Sequence, residues 1–192
     1  MIQFYKPNPK VTGHACSFNY SDRDRCVYVN LIKQASWDDS KKRGTFGQNA
    51  KNPAKSCNFK LSDDEMCGII NTIRSNAEFK IFHSNPNQKT MGSFSPYMRQ
   101  ETQMGFGLSI NKQPTNGEKS SFLVGFNFGE AIKLEAFFTF CLTKIFQALD
   151  KEQEAWRSKG SSNQPAPKAN SAPPKPPTPP KEEPVFDSDE EW

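Results

Sequence analysis

The chain has 192 residues, of which 34% are hydrophobic, 25 are basic and 21 are acidic, and it contains five cysteines. This length fits one ordinary domain with a tail and argues against two domains or a large enzyme. No stretch reaches the roughly 18 to 20 apolar residues of a membrane span. The first ten residues lack a secretory signal pattern, and the cysteines are odd in number and widely spaced. We therefore expect reduced thiols and a cytoplasmic protein.

Charge is divided unevenly along the chain. Residues 160–192 hold three lysines and six acidic residues, so residues 1–159 carry 22 basic and 15 acidic side chains, a net charge of +7. A basic body attracts polyanions, whereas an acidic end repels them.

The C-terminal part has the composition of a linker followed by a short peptide. Nine of the 15 prolines lie after Gly160, and proline cannot donate hydrogen bonds to a helix or a sheet. We expect a folded domain over residues 1–155 and a disordered proline-rich linker over 156–184. In residues 185–192, two aromatic residues bracket an acidic cluster, which indicates a partner-binding tail; the alternative is a tail that only adds solubility. The tail residues are Phe186, Asp187, Asp189, Glu190, Glu191 and Trp192.

The first half of the body predicts strands followed by a helix. Alternating apolar and polar residues indicate the strands, while a basic segment without periodicity indicates a loop. The helix is predicted to begin with a capping box. The Ser62 side chain accepts a hydrogen bond from the backbone N–H of the third helical residue, and the Glu65 side chain reaches back to the backbone N–H of Ser62. The strands are predicted at 14–20, 26–36 and 57–61, the loop at 41–55, and the helix up to about Ser75.

The second half predicts four strands and a longer helix. The strands are expected at 78–84, 89–98, 103–112 and 120–128, with Met104 and Phe128 on the buried faces of the last two. The helix is expected from Gly129 to Asp150 or beyond. Its apolar residues cover more than one face, so either its own domain nearly surrounds it or it joins subunits into a dimer or higher assembly. The predicted apolar stripe consists of Ile132, Ala136, Phe137, Phe140, Cys141, Ile145 and Leu149, and it is widened past one face by Phe138, Leu142 and Phe146.

Motifs of catalysis or cofactor binding are not found. There is no His-Glu-x-x-His, no phosphate-binding Gly-x-x-x-x-Gly-Lys and no Gly-x-Ser-x-Gly. His14, Cys16 and Cys26 lack the paired cysteine spacing of structural zinc sites. We expect a protein that is not an enzyme and that has neither a metal nor a cofactor.

Basic and aromatic residues are interleaved in the body, as in proteins that bind single-stranded nucleic acids. Phe46 lies between glycines in the basic loop and has no evident core to enter, so it is a leading stacking candidate; the alternative is a residue that anchors the loop. The predicted binding residues are Tyr28, Lys33, Trp37, Lys41, Lys42, Arg43, Phe46, Lys51, Lys55, Lys80, Phe82 and Arg99.

The orientation of the other aromatic residues follows from strand alternation. Tyr28, Lys80 and Phe82 are expected to point away from the core, with packing at an interface as the alternative. The remaining aromatic candidates are more consistent with the core than with a stacking surface; they are Phe4, Tyr5, Phe94 and Tyr97.

The order strands–helix–strands–helix, with a capped first helix and an apolar second helix, resembles the Whirly-type fold that binds single-stranded DNA. The resemblance implies an α+β fold with antiparallel sheets and homo-oligomers in which single-stranded DNA crosses the sheet faces of neighbouring subunits. The ending Phe-Asp-Ser-Asp-Glu-Glu-Trp resembles the acidic tails of bacterial and phage single-stranded-DNA-binding proteins. That resemblance implies docking on replication, recombination and repair proteins, and a viral or phage protein in the host cytoplasm.

Three functions are therefore considered. The favoured one is a sequence-tolerant single-stranded-DNA-binding protein whose acidic tail competes for the basic surface until DNA displaces it. The second is a transcription regulator or an RNA-binding protein on the same fold. The third is a structural or adaptor protein whose aromatic residues all lie in the core or at an interface.

Overall fold

The structure is a computed structural model that describes residues 1–161, with side chains as far as Ser158. Within this range the chain forms an α+β fold with antiparallel sheets, and the order strands–helix–strands–helix is confirmed. The strands are β1 (Ile2–Lys6), β2 (His14–Ser21), β3 (Cys26–Lys33), β4 (Ser36–Asp38), β5 (Arg43–Thr45), β6 (Ser56–Leu61), β7 (Phe79–Asn85), β8 (Gln88–Arg99), β9 (Thr102–Pro114) and β10 (Ser120–Phe126). The helices are α1 (Asp63–Ser75) and α2 (Phe128–Ser161), and a short 3-10 turn spans Gly47–Asn49.

Two four-stranded antiparallel sheets form the scaffold. The first sheet has the order β1-β2-β3-β6 and the second has the order β10-β9-β8-β7, while β4 and β5 form a separate hairpin. Alternation gives each sheet an apolar inner face and a more polar outer face. On the inner face of the first sheet, one row across the strands contains Phe4, Cys16, Leu31 and Cys57.

The inner faces of both sheets and one face of each helix enclose a single hydrophobic core. Phe18 of β2 joins these elements. Its ring centroid lies 6.4 Å from that of Phe126 on β10 and 5.5 Å from that of Phe138 on α2. The Phe18 and Phe138 rings meet edge to face, which adds an attraction to the hydrophobic burial. The expected burial of Phe4 and Phe94 is confirmed, because both rings lie in this core.

Helix α1 begins as predicted, at a capping box. The Ser62 hydroxyl accepts a hydrogen bond from the Glu65 backbone N–H at 3.2 Å, and the Glu65 carboxylate accepts one from the Ser62 N–H at 2.9 Å. The helix contains Gly68 because the Phe79 ring packs directly against it: a Cβ at this position would lie 2.3 Å from a ring carbon.

Helix α2 begins at Phe128, where Asn127 and Glu130 form a second reciprocal cap, with hydrogen bonds of 2.8 and 2.9 Å. The helix continues to Ser161 and so includes residues 156–161, which the sequence assigned to the linker. The rest of the predicted linker and the whole predicted tail lie outside the described residues.

The predicted apolar stripe of α2 is partly wrong. The face that enters the core contains Ala131 and Leu134 together with four members of the predicted stripe, Phe138, Cys141, Leu142 and Ile145. The helix has apolar residues on more than one side, and packing against the sheets selects one of them. The other members of the stripe are half-buried or exposed; Phe137 is half-buried, and Ile132, Ala136, Phe140, Phe146 and Leu149 are exposed.

Two expected core positions on the strands are also wrong. Met104 is exposed because it is an extra residue on β9: Gln103 pairs with Met98 and Gly105 pairs with Tyr97, so the bulge turns Met104 outward. Gly105 permits this bulge because it has a φ of 140°, which other residues rarely adopt, and because it has no Cβ to collide with the Phe126 carbonyl oxygen. Phe128 is exposed because it starts α2 instead of ending β10.

The sequence did not predict β1 or the β4–β5 hairpin. Each strand of the hairpin has three residues, so its alternation is too short to recognise, and in β1 the adjacent aromatic residues Phe4 and Tyr5 obscure the alternation. The hairpin lies partly in segment 41–55, which was expected to be an irregular loop.

The five cysteines are free thiols, and Cys67 is the exposed one. Burial raises the pKa of the Cys57 thiol to about 11. Within residues 1–161, no group of three His, Cys, Asp or Glu side chains is arranged to hold a metal ion. No helix in the same range has the length and apolar character needed to cross a membrane.

Candidate nucleic-acid interface

Most of the predicted binding residues fall on two surfaces formed by the outer faces of the two sheets. The first surface, here called the hairpin groove, lies between the outer face of the first sheet and the β4–β5 hairpin. The second, here called the open face, is the outer face of the second sheet.

The hairpin groove has a volume of about 900 Å³. Its floor is the outer face of the first sheet, including Gln3, Tyr5 and Asn30. Its wall is the hairpin, which contributes the three predicted hairpin cations, Lys41, Lys42 and Arg43, and the predicted aromatic residue Phe46. All three cationic side chains are exposed. The groove therefore joins an amide-lined floor to a positively charged rim.

Two buried amide side chains hold the hairpin against the sheet. The Gln34 amide accepts a hydrogen bond from the Asn8 N–H at 2.9 Å and donates to the Asn8 and Ser36 carbonyls at 3.0 and 2.9 Å. The Asn49 amide donates to the Lys33 and Gln34 carbonyls at 3.0 and 3.1 Å. These bonds satisfy backbone groups that an irregular segment would otherwise leave unpaired.

The tip of the hairpin is ordered by aspartates. Asp38 accepts hydrogen bonds from the Ser40 hydroxyl at 2.6 Å and from the Lys41 N–H at 3.1 Å. These bonds lower the pKa of Asp38, and the bond from Ser40 has the largest effect. Trp37 is half-buried and donates its indole N–H to Asp39 at 3.0 Å. The Lys42 ammonium lies 3.6 Å from the same carboxylate, but both groups are exposed and the pair is weak.

Phe46 is buried, with 8% of its surface exposed, and its ring centroid lies 5.8 Å from that of Tyr5. Phe46 lies outside the core that the two sheets and helices enclose, but its burial leaves no open ring face for stacking, and the alternative of a residue that anchors the loop describes its position. The prediction that Tyr5 and Tyr97 lie in the core is wrong. They are 57% and 48% exposed, because alternation places them on the outer faces.

Tyr28 lies on the outer face of the first sheet, as expected, but it is engaged by other side chains. Its hydroxyl donates to Asp24 at 2.9 Å, and the Lys60 ammonium lies 5.3 Å from its ring centroid. The Tyr28 hydrogen bond is the main reason why the pKa of Asp24 is lowered to about 2. A base that stacked on Tyr28 would have to displace Lys60.

The open face contains Lys80 and Phe82 on β7, and both point away from the core as predicted. Phe82 is 63% exposed and pairs across the strands with Met91. In the middle of the face, Gly107 and Gly125 are paired; Gly107 is buried, whereas Gly125 is exposed and a Cβ there would meet no atom within 4 Å. The result is a sheet face with exposed aromatic side chains and an uncovered backbone at Gly125.

The remaining predicted residues lie outside both surfaces. Lys33 is on the core-facing side of β3, where its ammonium lies 5.2 Å from the Phe122 ring centroid. The pKa of the neighbouring His14 is lowered, mainly because the ring is buried and to a smaller extent because of the positive charge of Lys33. Lys51 and Lys55 are exposed in the loop before β6, and Arg99 is exposed at the end of β8.

Three residues that lie in the hairpin groove or on the open face were not among the predicted binding residues. Gln3 and Asn30 line the groove, and Leu123 lies on the open face with 56% exposure. Alternation in β3 and β10 could have placed Asn30 and Leu123 on outer faces. Nothing in the sequence pattern of residues 1–6 indicated Gln3.

Comparison with solved structures identifies the fold. The plant transcriptional regulator PBF-2 superposes with a TM-score of 0.53 at 13% identity, covering 85% of this chain and 87% of that one. The chain has the Whirly-like fold. WHY1 from Arabidopsis thaliana gives 0.54 at 15% identity, covering 80% and 90%, and WHY3 from the same plant gives 0.54 at 12%, covering 81% and 95%. No protein-family model and no curated protein sequence matches the chain.

The burial of Phe46 predicts that Phe46→Ala lowers the free energy of unfolding by about 3 kcal/mol, because a large buried ring is removed and a cavity remains. The control is Phe82→Ala, whose ring is 63% exposed and whose loss should leave the stability almost unchanged. Chemical denaturation of both variants measures the difference. Equal stability of the two variants would contradict the anchoring role of Phe46.

Proposed function

We propose that the chain is a sequence-tolerant single-stranded-DNA-binding protein that uses the outer faces of its sheets. The observation that carries the proposal is Phe82, an aromatic ring that is 63% exposed on the outer face of the second sheet and lies two residues from Lys80 on the same face. An exposed ring offers a surface for a base, and a neighbouring ammonium offers a contact for a phosphate.

The uncovered backbone at Gly125 supports binding of bases to the open face. Because Gly125 is exposed and has no side chain, a base can approach the backbone there, beside Leu123. Every base has an aromatic surface, so stacking on such a face does not depend on sequence. In a duplex these base surfaces are already stacked, and we therefore expect a preference for single strands.

The net charge of +7 on residues 1–159 supports binding to a polyanion. The hairpin cations provide a local source of this attraction. The second candidate function is a transcription regulator or an RNA-binding protein on the same fold, and it is favoured by the likeness to PBF-2, a plant transcriptional regulator. Neither function requires a catalytic step, and we propose that the protein is not an enzyme.

We further propose that the protein coats DNA strands during replication, recombination or repair and recruits partner proteins through residues 185–192. The support comes from the sequence of that segment, which combines four acids with Phe186 and Trp192. The tail lies outside the described residues. Its acids would compete with DNA for the basic surfaces of the same chain at high effective concentration, and bound DNA would release the tail for partners.

An assembly of several copies is also part of the proposal. On the side of α2 away from the core, the exposed apolar side chains include Phe128, Ile132 and Phe140, which are 50%, 64% and 54% exposed. Exposed apolar side chains grouped along one helix are typical of subunit interfaces. A second copy of this chain offers the same apolar helix and is the occupant that closed symmetry favours.

For the open face, we expect Phe82→Ala to weaken binding to a labelled 30-nucleotide oligothymidine by about tenfold or more, because one stacked base contributes roughly 1–3 kcal/mol. Fluorescence anisotropy of the full chain measures the affinity. The matched control is Trp156→Ala, which removes an exposed aromatic side chain from the far part of α2. If both variants bind like the unaltered chain, the open face does not bind bases, and an adaptor role for its aromatic residues is favoured instead.

For the hairpin, replacing Lys41, Lys42 and Arg43 with alanine should lower affinity and flatten its salt dependence. Each lost phosphate contact with a single strand reduces the slope of log K against log salt by about 0.7, so three contacts predict a change of about 2. Titrations between about 50 and 200 mM salt measure the slope. Alanine at Lys144, Lys151 and Arg157 removes the same charge from α2 and should change the slope less; equal changes would assign the effect to net charge alone.

For the assembly, Ile132→Glu and Phe140→Glu should each reduce the mass of the particle in light scattering, because a charge in an apolar interface is costly to desolvate. Asn71→Glu, an exposed position on α1, is the control and should leave the mass unchanged. A monomeric mass for the unaltered chain would rule out this part of the proposal.

For the tail, deletion of residues 185–192 should strengthen binding to oligothymidine at low salt and abolish the capture of partner proteins. Deletion of the uncharged linker residues 169–174 is the control, since it shortens the chain without removing acids. Identical affinities of the tail-deleted and unaltered chains would contradict competition between the tail and DNA.

A further inference from the structure

We infer that the hairpin groove binds one nucleotide, with its base facing Asn30 and its phosphate on the hairpin cations; this inference rests on the proposed function. It assigns the groove a role different from that of the open face. The open face offers aromatic surfaces to successive bases, whereas the groove encloses one base and contacts its hydrogen-bonding edge.

The first observation is an unpaired acceptor. Asn30 lines the groove floor, and its side-chain oxygen, Oδ1, is buried without a hydrogen-bond partner among the described residues. An unpaired buried polar atom is costly, and such atoms in folded proteins usually have a partner. On the same face Asn30 is flanked by Ser17 and Asn58 on the neighbouring strands. A donor such as an N–H would satisfy this oxygen once the half-buried Asn30 side chain turns it toward the groove.

The second observation is an aromatic ring at the side of the same groove. Tyr5 is 57% exposed, and its position is fixed by the Phe46 ring and by a 2.8 Å hydrogen bond from its hydroxyl to Gln3. A ring held in this way can stack on a base with little loss of side-chain freedom. Phe46 is itself buried, and it contributes to the groove by fixing the position of the Tyr5 ring.

The third observation is the charge on the rim. The hairpin cations are exposed, and two carboxylates lie near them: Asp39, which is 3.6 Å from Lys42, and Asp38, which also lines the groove and pairs with Arg43 across the hairpin. The three cations leave the rim with a net positive charge. The volume of about 900 Å³ is in the range of small-molecule sites and is ample for a nucleotide. A ring, a hydrogen-bond acceptor and cations match the three parts of a nucleotide, which are the base surface, the N–H on the base edge and the phosphate.

Contact with Asn30 is compatible with sequence tolerance. Each of the four bases carries at least one N–H on its Watson–Crick edge, and in thymine this is the N3–H. An acceptor alone therefore selects for a base over an abasic position without selecting strongly among bases. Methylation of thymine at N3 removes its N–H and leaves the ring and the phosphate in place.

The test compares the full chain with Asn30→Ala and Asn30→Leu, using a 12-nucleotide oligothymidine and its N3-methylated form. The unaltered chain should bind the methylated strand about three- to tenfold more weakly, as expected for one hydrogen bond. In either Asn30 variant the two strands should bind equally, because the acceptor is gone. Asn30→Leu fills a similar space and provides the comparison if Asn30→Ala does not fold. Asn58→Ala, on the same row but outside the groove lining, is the control and should keep the methylation penalty.

The outcomes separate this inference from the proposed function. Equal binding of both strands by the unaltered chain, or the same penalty in the Asn30 variants, overturns the nucleotide site and leaves single-strand binding intact. Failure to bind either strand overturns both. A parallel titration with thymidine 5′-monophosphate and its N3-methylated form identifies the source of the nucleotide. An Asn30-dependent penalty there assigns the groove to free nucleotides, and a penalty with strands alone assigns it to DNA.

Discussion

The aromatic packing around Phe18 is the constraint on which the rest of the structure depends. Phe18 contacts rings from the first sheet, the second sheet and α2, and Phe126 in turn contacts Phe4 and Phe94. As a result, the side chains on the inner face of each sheet pack into a single core. Because successive side chains of a strand point to opposite faces, the alternate residues of each strand lie on the two outer faces. The surfaces proposed to bind nucleic acid follow directly from this division.

The two outer faces differ because their surroundings differ. The second sheet has an uncovered backbone at Gly125. On the first sheet, the buried amides of Gln34 and Asn49 hold the hairpin in place, and the hairpin and the sheet enclose a groove. Both amides bond to backbone atoms, so hydrogen bonds fix the hairpin together with the burial of Phe46. A basic, solvated segment can thereby keep a defined position.

Much of the fold could be predicted from the sequence because its signals are periodic or local. The capping box at Ser62 and Glu65 is a local pattern, and it is confirmed. The outward orientation of Lys80 and Phe82 followed from alternation, and it is also confirmed. The errors have physical causes of another kind. The bulge at Met104 breaks the alternation, and α2 has apolar side chains on both sides, so the sequence could not identify the side that faces the core. The hairpin depends on contacts with Gln34 and Asn49, which sequence spacing does not reveal.

The candidate site was predictable in composition but not in arrangement. Basic and aromatic residues were expected together, yet Phe46 is buried, Lys33 lies on the core-facing side of its strand, and Tyr28 is covered by Lys60. The most direct measurement is ultraviolet cross-linking of the full chain to an oligonucleotide carrying 5-iododeoxyuridine, followed by mass spectrometry of the peptides. We predict adducts on Phe82 and Tyr97 of the open face and on Tyr5 of the groove. Adducts confined to α2, or to residues of neither outer face, would contradict the claim that the sheet faces bind the bases.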